Sequence, residues 1–186
     1  MDKMKDRDIR ELTLKELYRK HYGEAETKII NEMGLNKGES RIDIVVVNGI
    51  LHGYELKSES DNLLRLPKQI DNYNKIFERM TIVTDRKYLT DVNNMIPKWW
   101  GIMIVKKDRN GLREIRRGRK VKTQDEEALL NLLWKNEYND LIDLLGYPKS
   151  FKKLRKDILF KIIQNDKRKD VIKKYIYDVL RKRNYN

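Results

Sequence analysis

Residues 41–57 read RIDIVVVNGILHGYELK, two short apolar runs joined at an Asn-Gly turn, with Asp43, Glu55 and Lys57 interrupting the apolar pattern. In strands, successive side chains point to opposite faces. Ile42, Ile44, Val46, Tyr54 and Leu56 then share one face, and Asp43, Val45, Glu55 and Lys57 the other, provided that odd positions pair with odd. A two-residue Asn48-Gly49 turn, the commonest hairpin reading, breaks that parity: it sets Asp43 across from Tyr54 and sends Glu55 to the wrong face. A three-residue loop restores it. Taking Val47-Asn48-Gly49 as the loop, with Gly49 left-handed as a bulge residue, makes Asp43 and Glu55 diagonal neighbours; a bulge at Gly53 has the same effect. Two carboxylates gathered beside an ammonium form a hard oxygen site suited to Mg²⁺, with Mn²⁺ as a substitute.

The composition sets the frame for this hairpin. A chain of 186 residues holds one medium domain, or a small one with an appendage. With 38% charged residues and a mean hydropathy of -0.80, no window approaches the roughly 18 apolar residues of a membrane span, so no membrane partner is expected. Residues 1–20 are charged and lack the apolar core of a secretory signal. The absence of cysteine excludes disulfides, thiolate zinc sites and cysteine nucleophiles, and two histidines argue against a histidine metal cluster. A reducing, cytoplasmic setting is the expectation.

The formal charge of +13 is unevenly spread: residues 146–186 carry a net +10 and residues 106–122 a net +7, leaving the remainder at -4. Positive charge set in two blocks, away from the segment that holds the carboxylates, reads as a polyanion binder; the alternative is a solvated lysine-rich surface.

Along the chain, Ile9, Leu12, Leu17 and Tyr18 space as an amphipathic helix over 8–21, and 27–33 reads as a strand followed by a loop over 34–40. After the hairpin, Pro67 suits a first helical turn, with Ile70, Tyr73, Asn74 and Phe77 at helical spacing as far as Met80. Strands are expected at 81–84, 99–105 and 112–117, with a helix over 87–95. From Gln124 onward, leucines at helical spacing, a Gly146 cap and two further apolar stripes predict helices only. The expectation is a core over 1–122 and a helical extension over 123–186.

The order of an acid, then Glu-x-Lys on the adjoining strand, then a helix, here Arg41-Ile42-Asp43 and Glu55-Leu56-Lys57, resembles the PD-(D/E)XK nuclease superfamily; Ile42 stands where that pattern commonly has Pro. Gln69-Ile70-Asp71-Asn72-Tyr73 is similar to the Gln-x-x-x-Tyr motif of its RecB-like branch. With Asn31-Glu32, Gly53-Tyr54, Ser58, Arg65-Leu66 and Pro97-x-Trp99-Trp100-Gly101, the chain looks like a small, poorly characterised bacterial family within it. A second Glu-x-Lys, Glu26-Thr27-Lys28, lacks a preceding hairpin with an acid on the matching face and reads as a chance match.

The resemblance implies a restriction-endonuclease-like α/β core, a mixed central sheet flanked by helices, and Mg²⁺-dependent hydrolysis of phosphodiester bonds in DNA, with RNA as an alternative substrate. It implies that Asp43, Glu55 and the Leu56 carbonyl hold the metal, that Lys57 orients or deprotonates water, and that Gln69, Tyr73 and Arg65 touch the nucleotide or phosphate. A further glutamate completes such sites; Glu32 is the first choice, with Glu16 and Glu24 in reserve. The other readings are a cross-strand Asp43–Lys57 salt bridge, ordinary helix surface and core for Gln69 and Tyr73, and structural roles for both histidines. One of Trp99 and Trp100 is expected in the core and the other partly exposed.

In the extension, Lys149, Lys152, Lys153, Arg155 and Lys156 crowd the start of a second helix after Gly146-Tyr147-Pro148, loosely resembling the helix-extended-helix of small DNA-binding modules such as SAP. Such cations neutralise phosphates without reading sequence; a helical lid or dimer element is the competing reading. Two cuts across a duplex usually need two sites, so a homodimer is a candidate assembly. A non-catalytic nucleic-acid-binding or scaffold protein with the same fold is the functional alternative.

Overall fold

The computed structural model describes residues 3–35, 38, 40–122 and 124–185. Its centre is a six-stranded sheet in the order β1-β2-β3-β4-β5-β6, made of β1 (Lys28–Leu35), β2 (Ser40–Val47), β3 (Leu51–Lys57), β4 (Arg79–Thr84), β5 (Gly101–Val105) and β6 (Leu112–Arg116). The first three strands are antiparallel, β3, β4 and β5 run parallel, and β6 returns antiparallel. Helices α1 (Asp6–Lys20), α2 (Leu66–Asn74) and α3 (Leu89–Met95) flank the sheet; α4 (Glu126–Leu130), α5 (Lys135–Leu144), α6 (Lys156–Gln164) and α7 (Lys169–Lys182) follow it. This is the α/β fold with a helical C-terminal region that the periodicities predict, and its sheet is mixed, as the resemblance implies. Among the described residues no helix is long and apolar enough to cross a membrane.

Each sheet face has its own cover. Helix α1 sets Ile9 and Leu17 against Ile44, Val46, Tyr54, Leu56 and Val83. On the other face Val45, Val47, Leu51, Met80 and Ile82 join Leu66 and Tyr73 of α2, Val92 of α3, and the leucines and isoleucines of the C-terminal helices in one cluster. The crossovers through α2 and α3 step the same way along the sheet, and connections of one hand then place both helices on one face.

The C-terminal helices are therefore part of this core. Glu78, 4% exposed, fastens them: the Tyr177 hydroxyl donates to its Oε2 at 3.0 Å and Lys173 Nζ to its Oε1 at 3.1 Å. At the end of α5 the Gly146 and Tyr147 amides donate to the Asp143 and Ile142 carbonyls, closing the helix as a Schellman cap.

The hairpin departs from expectation in two ways. Val47 pairs with Leu51 and Ile44 with Tyr54, so the three-residue loop is Asn48-Gly49-Ile50 rather than Val47-Asn48-Gly49. Gly49 is left-handed, with φ +83°, and the β2–β3 ladder ends at Ile44–Tyr54, so Asp43 and Glu55 are not the diagonal ladder neighbours expected. Second, Ile42 does not share the face of Ile44; it joins Val45 in the larger cluster. The cause lies next door on β1, where Glu32 has φ 56°. Ladder pairing there skips from Asn31–Ile44 to Met33–Ile42, and the alternation of both strands reverses across Glu32 and Asp43. Gly53 accommodates the crossing, since a Cβ there would lie 2.8 Å from Ile42 Cδ1 and 2.5 Å from Met80 Sδ.

Smaller departures have local causes. Helix α2 ends at Asn74 and not at Met80, because the Glu78 amide donates to the Leu51 carbonyl at 3.0 Å and the chain must turn to set Arg79 beside His52. The segment expected to be one helix over 87–95 begins as a 3-10 turn, Arg86–Tyr88, before α3. Gly34 and Ser40 belong to β1 and β2 rather than to a loop; residues 36, 37 and 39 of that loop, and residue 123 at the expected boundary, lie outside the described residues. Trp100 is fully buried and Trp99 half-buried, as expected.

Candidate functional site

At the C-terminal end of β3, the point where β2 and β3 part, a cleft of about 730 Å³ opens between the sheet and α2. The β2–β3 ladder stops at Ile44–Tyr54. Beyond it the Leu56 amide donates to Asp43 Oδ2 at 2.8 Å, and Arg10 of α1 donates to Asp43 Oδ1 at 2.7 Å and to the Asp43 carbonyl at 3.2 Å. Asp43 is thus held from two elements at once.

In the same cleft, Glu55 is 2% exposed and surrounded by donors. Lys57 Nζ donates to its Oε1 at 2.5 Å and Gln69 Nε2 to the same oxygen at 2.6 Å. The Tyr73 hydroxyl donates to Oε2 at 2.8 Å; it also lies 3.0 Å from the Arg41 carbonyl and accepts from Gln69 Nε2 at 3.3 Å. Burial, reinforced by the charge of Asp43, pushes the Glu55 carboxyl up to about 7. Burial and the Glu55 carboxylate likewise raise Tyr73 far above an ordinary phenol, keeping it a donor. Its ring stacks on Trp100 at 6.3 Å, and Trp100 Nε1 donates to Asn74 Oδ1 at 2.9 Å.

Helix α2 supplies the opposite wall. Arg65, Lys68, Gln69 and Asn72 line the cleft at the three- and four-residue spacing that shares one helical face, while Leu66 and Tyr73 point into the core. The helix is anchored through the preceding turn, where Asp61 Oδ2 accepts from the Ser58 amide at 2.7 Å and its hydroxyl at 2.6 Å. Among the described residues five buried side-chain polar atoms lack a hydrogen-bond partner, and three of them, Ser40 Oγ, Gln69 Oε1 and Asn72 Nδ2, belong to residues of this cleft. Buried polar groups are ordinarily satisfied, so three orphans in one cleft mark a place built for something polar.

Asp43, Glu55, Leu56, Lys57, Gln69 and Arg65 therefore converge, with Tyr73 behind them. Other expected residues do not. Glu32 is 44% exposed and sits between Arg41 at 3.3 Å and Arg10 at 3.7 Å, outside the cleft lining. Glu16 pairs with Arg19 at 2.7 Å and Glu24 with His21 at 2.7 Å. Among the described residues no group of three His, Cys, Asp or Glu side chains is placed to hold a metal ion.

Lys149, Lys152, Lys153, Arg155 and Lys156 are also absent from the cleft lining. Lys149 to Lys153 form a 3-10 turn rather than the start of a helix. Lys152 pairs with Asp143, Arg155 with Asp157, and Lys156 donates to the Leu133 carbonyl. Lys149 and Lys153 face solvent. Glu26 of the second Glu-x-Lys pairs with Arg181, away from the cleft. His21 and His52 have structural partners, His52 between Thr81 and Tyr54.

Sequence reasoning missed Arg10, Ser40, Lys68 and Asn72. Lys68 and Asn72 had a signal, their helical spacing from Arg65 and Gln69; Arg10, on a helix that precedes β1, had none.

The fold and cleft define an α/β protein with a polar, partly buried carboxylate site at the end of its third strand. The chain belongs to the family of bacteriophage P4 protein cII, whose model matches residues 1–185. It is 28% identical over 145 residues to protein cII of Enterobacteria phage P4, covering 77% of this chain and 54% of that protein; the chain thus spans about half the length of the curated relative it matches. Among solved structures it is similar to the SPO1766 protein of unknown function from Silicibacter pomeroyi, with a TM-score of 0.42 and 15% identity over 69% of this chain and 84% of that one.

Proposed function

We propose that this protein is a divalent-metal-dependent nuclease that hydrolyses phosphodiester bonds in DNA. The observation that carries the reading is Glu55, a buried carboxyl held by Lys57, Gln69 and Tyr73 and sharing with Asp43 a cleft open to solvent. A protein that only binds nucleic acid gains nothing from bringing two mutually repelling acids together, one of them pushed up to about 7.

The donor set fits a small hard cation. Asp43, Glu55 and the Leu56 carbonyl would hold it, and the unpartnered Gln69 Oε1 adds an acceptor beside them; Mg²⁺ is commonly held by one or two carboxylates, with water filling the remaining positions. Bound there, Mg²⁺ or Mn²⁺ supplies charge neutralisation at phosphate and a more acidic water.

The chain's own residues do the rest. Hydrolysis joins a water oxygen to phosphorus, breaks a P–O ester bond and returns a proton to the leaving oxygen. An ammonium has three donors; Lys57 gives one to Glu55 and keeps two for the attacking water and a phosphate oxygen. Arg65, which caps α2, and Lys68 within it supply positive charge to the flanking phosphates, and Gln69 and Tyr73 fix the orientation of the Glu55 carboxyl. The strong basic excess of the chain supports a polyanionic substrate.

A second reading, a nucleic-acid-binding protein without catalysis, is favoured by Arg10, which occupies Asp43. One experiment separates the two. Purified protein is incubated with plasmid, linear duplex, single-stranded DNA and RNA in Mg²⁺, Mn²⁺ or EDTA. Cleavage of DNA that stops in EDTA and in Lys57→Ala supports the nuclease; binding without cleavage under every metal supports the second reading; preferential cleavage of RNA moves the substrate class.

A further inference from the structure

A second cavity, of about 410 Å³, opens on the α1 side of the sheet at the N-terminal ends of β3 and β4, away from Asp43 and Glu55. Its size falls within the ~300–1,000 Å³ range of small-molecule sites. Four cations line it, Arg19 and Lys20 at the end of α1, Arg79 at the start of β4, and Arg117 after β6. Two carboxylates accompany them: Glu16, already bound to Arg19 at 2.7 Å, and Glu114 on the exposed strand β6. Arg117 is carried there by Gly118, whose Cβ position lies 2.7 Å from the Met80 carbonyl and 3.1 Å from Arg79 Cγ, so only glycine lets the chain cross so close to β4.

The floor of the cavity has donors to spare. Arg79 Nε is buried and has no partner among the described residues. Beside it runs a buried relay in which Tyr54 and Thr81 hydroxyls sit 3.2 Å and 2.9 Å from the two nitrogens of His52. Burial, with Arg79 and Lys20 nearby, holds the His52 pKa well below 6.5, so the ring is neutral and carries one proton. The relay then has three hydrogens for two hydrogen bonds. In one tautomer the Thr81 hydroxyl keeps an undonated hydrogen; in the other the Tyr54 hydroxyl does. Either way the residues lining the cavity hold this hydrogen and the Arg79 Nε–H without a partner, among four cations and two carboxylates.

We infer that this cavity binds a phosphate-bearing small molecule, as a site separate from the Asp43–Glu55 cleft. A phosphoryl group supplies several acceptor oxygens and the negative charge that the unfilled donors and the excess cations require. The chemistry is shared by the free anion and by a mononucleotide, and the inference does not depend on nuclease activity.

Calorimetric titration of the full chain with inorganic phosphate, AMP and a 5′-phosphorylated oligonucleotide tests it. Saturable binding of phosphate or AMP is expected at a Kd below about 1 mM, weakened about tenfold or more in Arg79→Gln and Arg117→Ser. Arg117 is exposed, so that variant decides the outcome should Arg79→Gln fail to fold. AMP binding more tightly than phosphate identifies a nucleotide; equal affinities identify the free anion. Glu55→Gln leaves these affinities unchanged while abolishing cleavage, which keeps the two sites distinguishable. No saturable binding of phosphate or AMP, binding of the oligonucleotide alone, or an equal loss in Arg113→Ser outside the cavity overturns the inference.

Discussion

The Leu56 amide on β3 donates to the Asp43 carboxylate on β2 at 2.8 Å, so a side chain takes the place that a backbone carbonyl holds in an uninterrupted ladder. This bond lets the two strands part without stranding a buried amide, and the gap it leaves is the cleft. Asp43→Ala removes the acceptor from both Leu56 and Arg10 and is expected to cost about 2–4 kcal/mol. Asp43→Asn keeps an acceptor for Leu56 and costs about 1–2 kcal/mol. Denaturant melts give the difference, and both variants are expected to lose metal-dependent cleavage.

Glu55 gives the protein a pH signature. Between the ordinary carboxylate value of 4.5 and about 7 the folded chain retains a proton on Glu55 that the unfolded chain has released. Stability therefore falls as pH rises through this window, by about 3 kcal/mol for the full shift. Thermal melts from pH 5 to 8 in EDTA should show this slope in the wild type and lose it in Glu55→Gln. Cleavage should run the other way, rising with pH as the carboxylate ionises.

Tyr73→Phe isolates one hydroxyl. The ring keeps its packing against Trp100 and Phe77, while Glu55 Oε2 loses its donor. A loss of about 1–2 kcal/mol is expected, and the midpoint of the cleavage–pH profile should move upward, because the lost hydrogen bond had favoured the ionised carboxyl. An unchanged midpoint would place Tyr73 in a purely packing role.

Glu32 carries backbone strain at φ 56°, and a non-glycine residue in the left-handed region costs about 1–2 kcal/mol. Its ion pairs with Arg10 and Arg41 are partly exposed and worth little. Glu32→Gly is thus expected to stabilise the fold by about 1 kcal/mol and to leave cleavage intact. Loss of cleavage with the fold preserved would return Glu32 to the metal site.

The helical region beyond residue 123 shares the core of the sheet. A chain ended at residue 122 uncovers Val45, Val47 and Leu51 and leaves Glu78 without Tyr177 and Lys173. It is expected to lose cooperative unfolding, and the whole chain to melt in one transition by both circular dichroism and tryptophan fluorescence. A folded 1–122 fragment would show the extension to be a separable unit.

The legible part of the site is the part that short spacings encode. Alternation places Glu55 and Lys57 on one strand face, and Gln69 and Tyr73 are four residues apart on one helix. Asp43 does line the cleft with Glu55, but not through the parity expected of it: the loop is one residue further along, the ladder ends at Ile44–Tyr54 and the alternation reverses at Asp43. What escaped depends on contacts distant in sequence. Arg10 reaches Asp43 from 33 residues away, and the reversal that moves Ile42 to the other face follows from a left-handed glutamate on a neighbouring strand, which no alternation pattern announces. The packing of the C-terminal helices escaped likewise, because an amphipathic stripe reports that a face is buried and not what buries it.

Titration of the full chain with Mn²⁺, followed by the electron paramagnetic resonance of the free ion, asks most directly whether Asp43 and Glu55 form a cation site. The wild type should remove Mn²⁺ from solution saturably at sub-millimolar concentration, with the uptake lost in Glu55→Gln and in Asp43→Asn. Saturable uptake that both variants retain, or no uptake by a folded wild type, would contradict it.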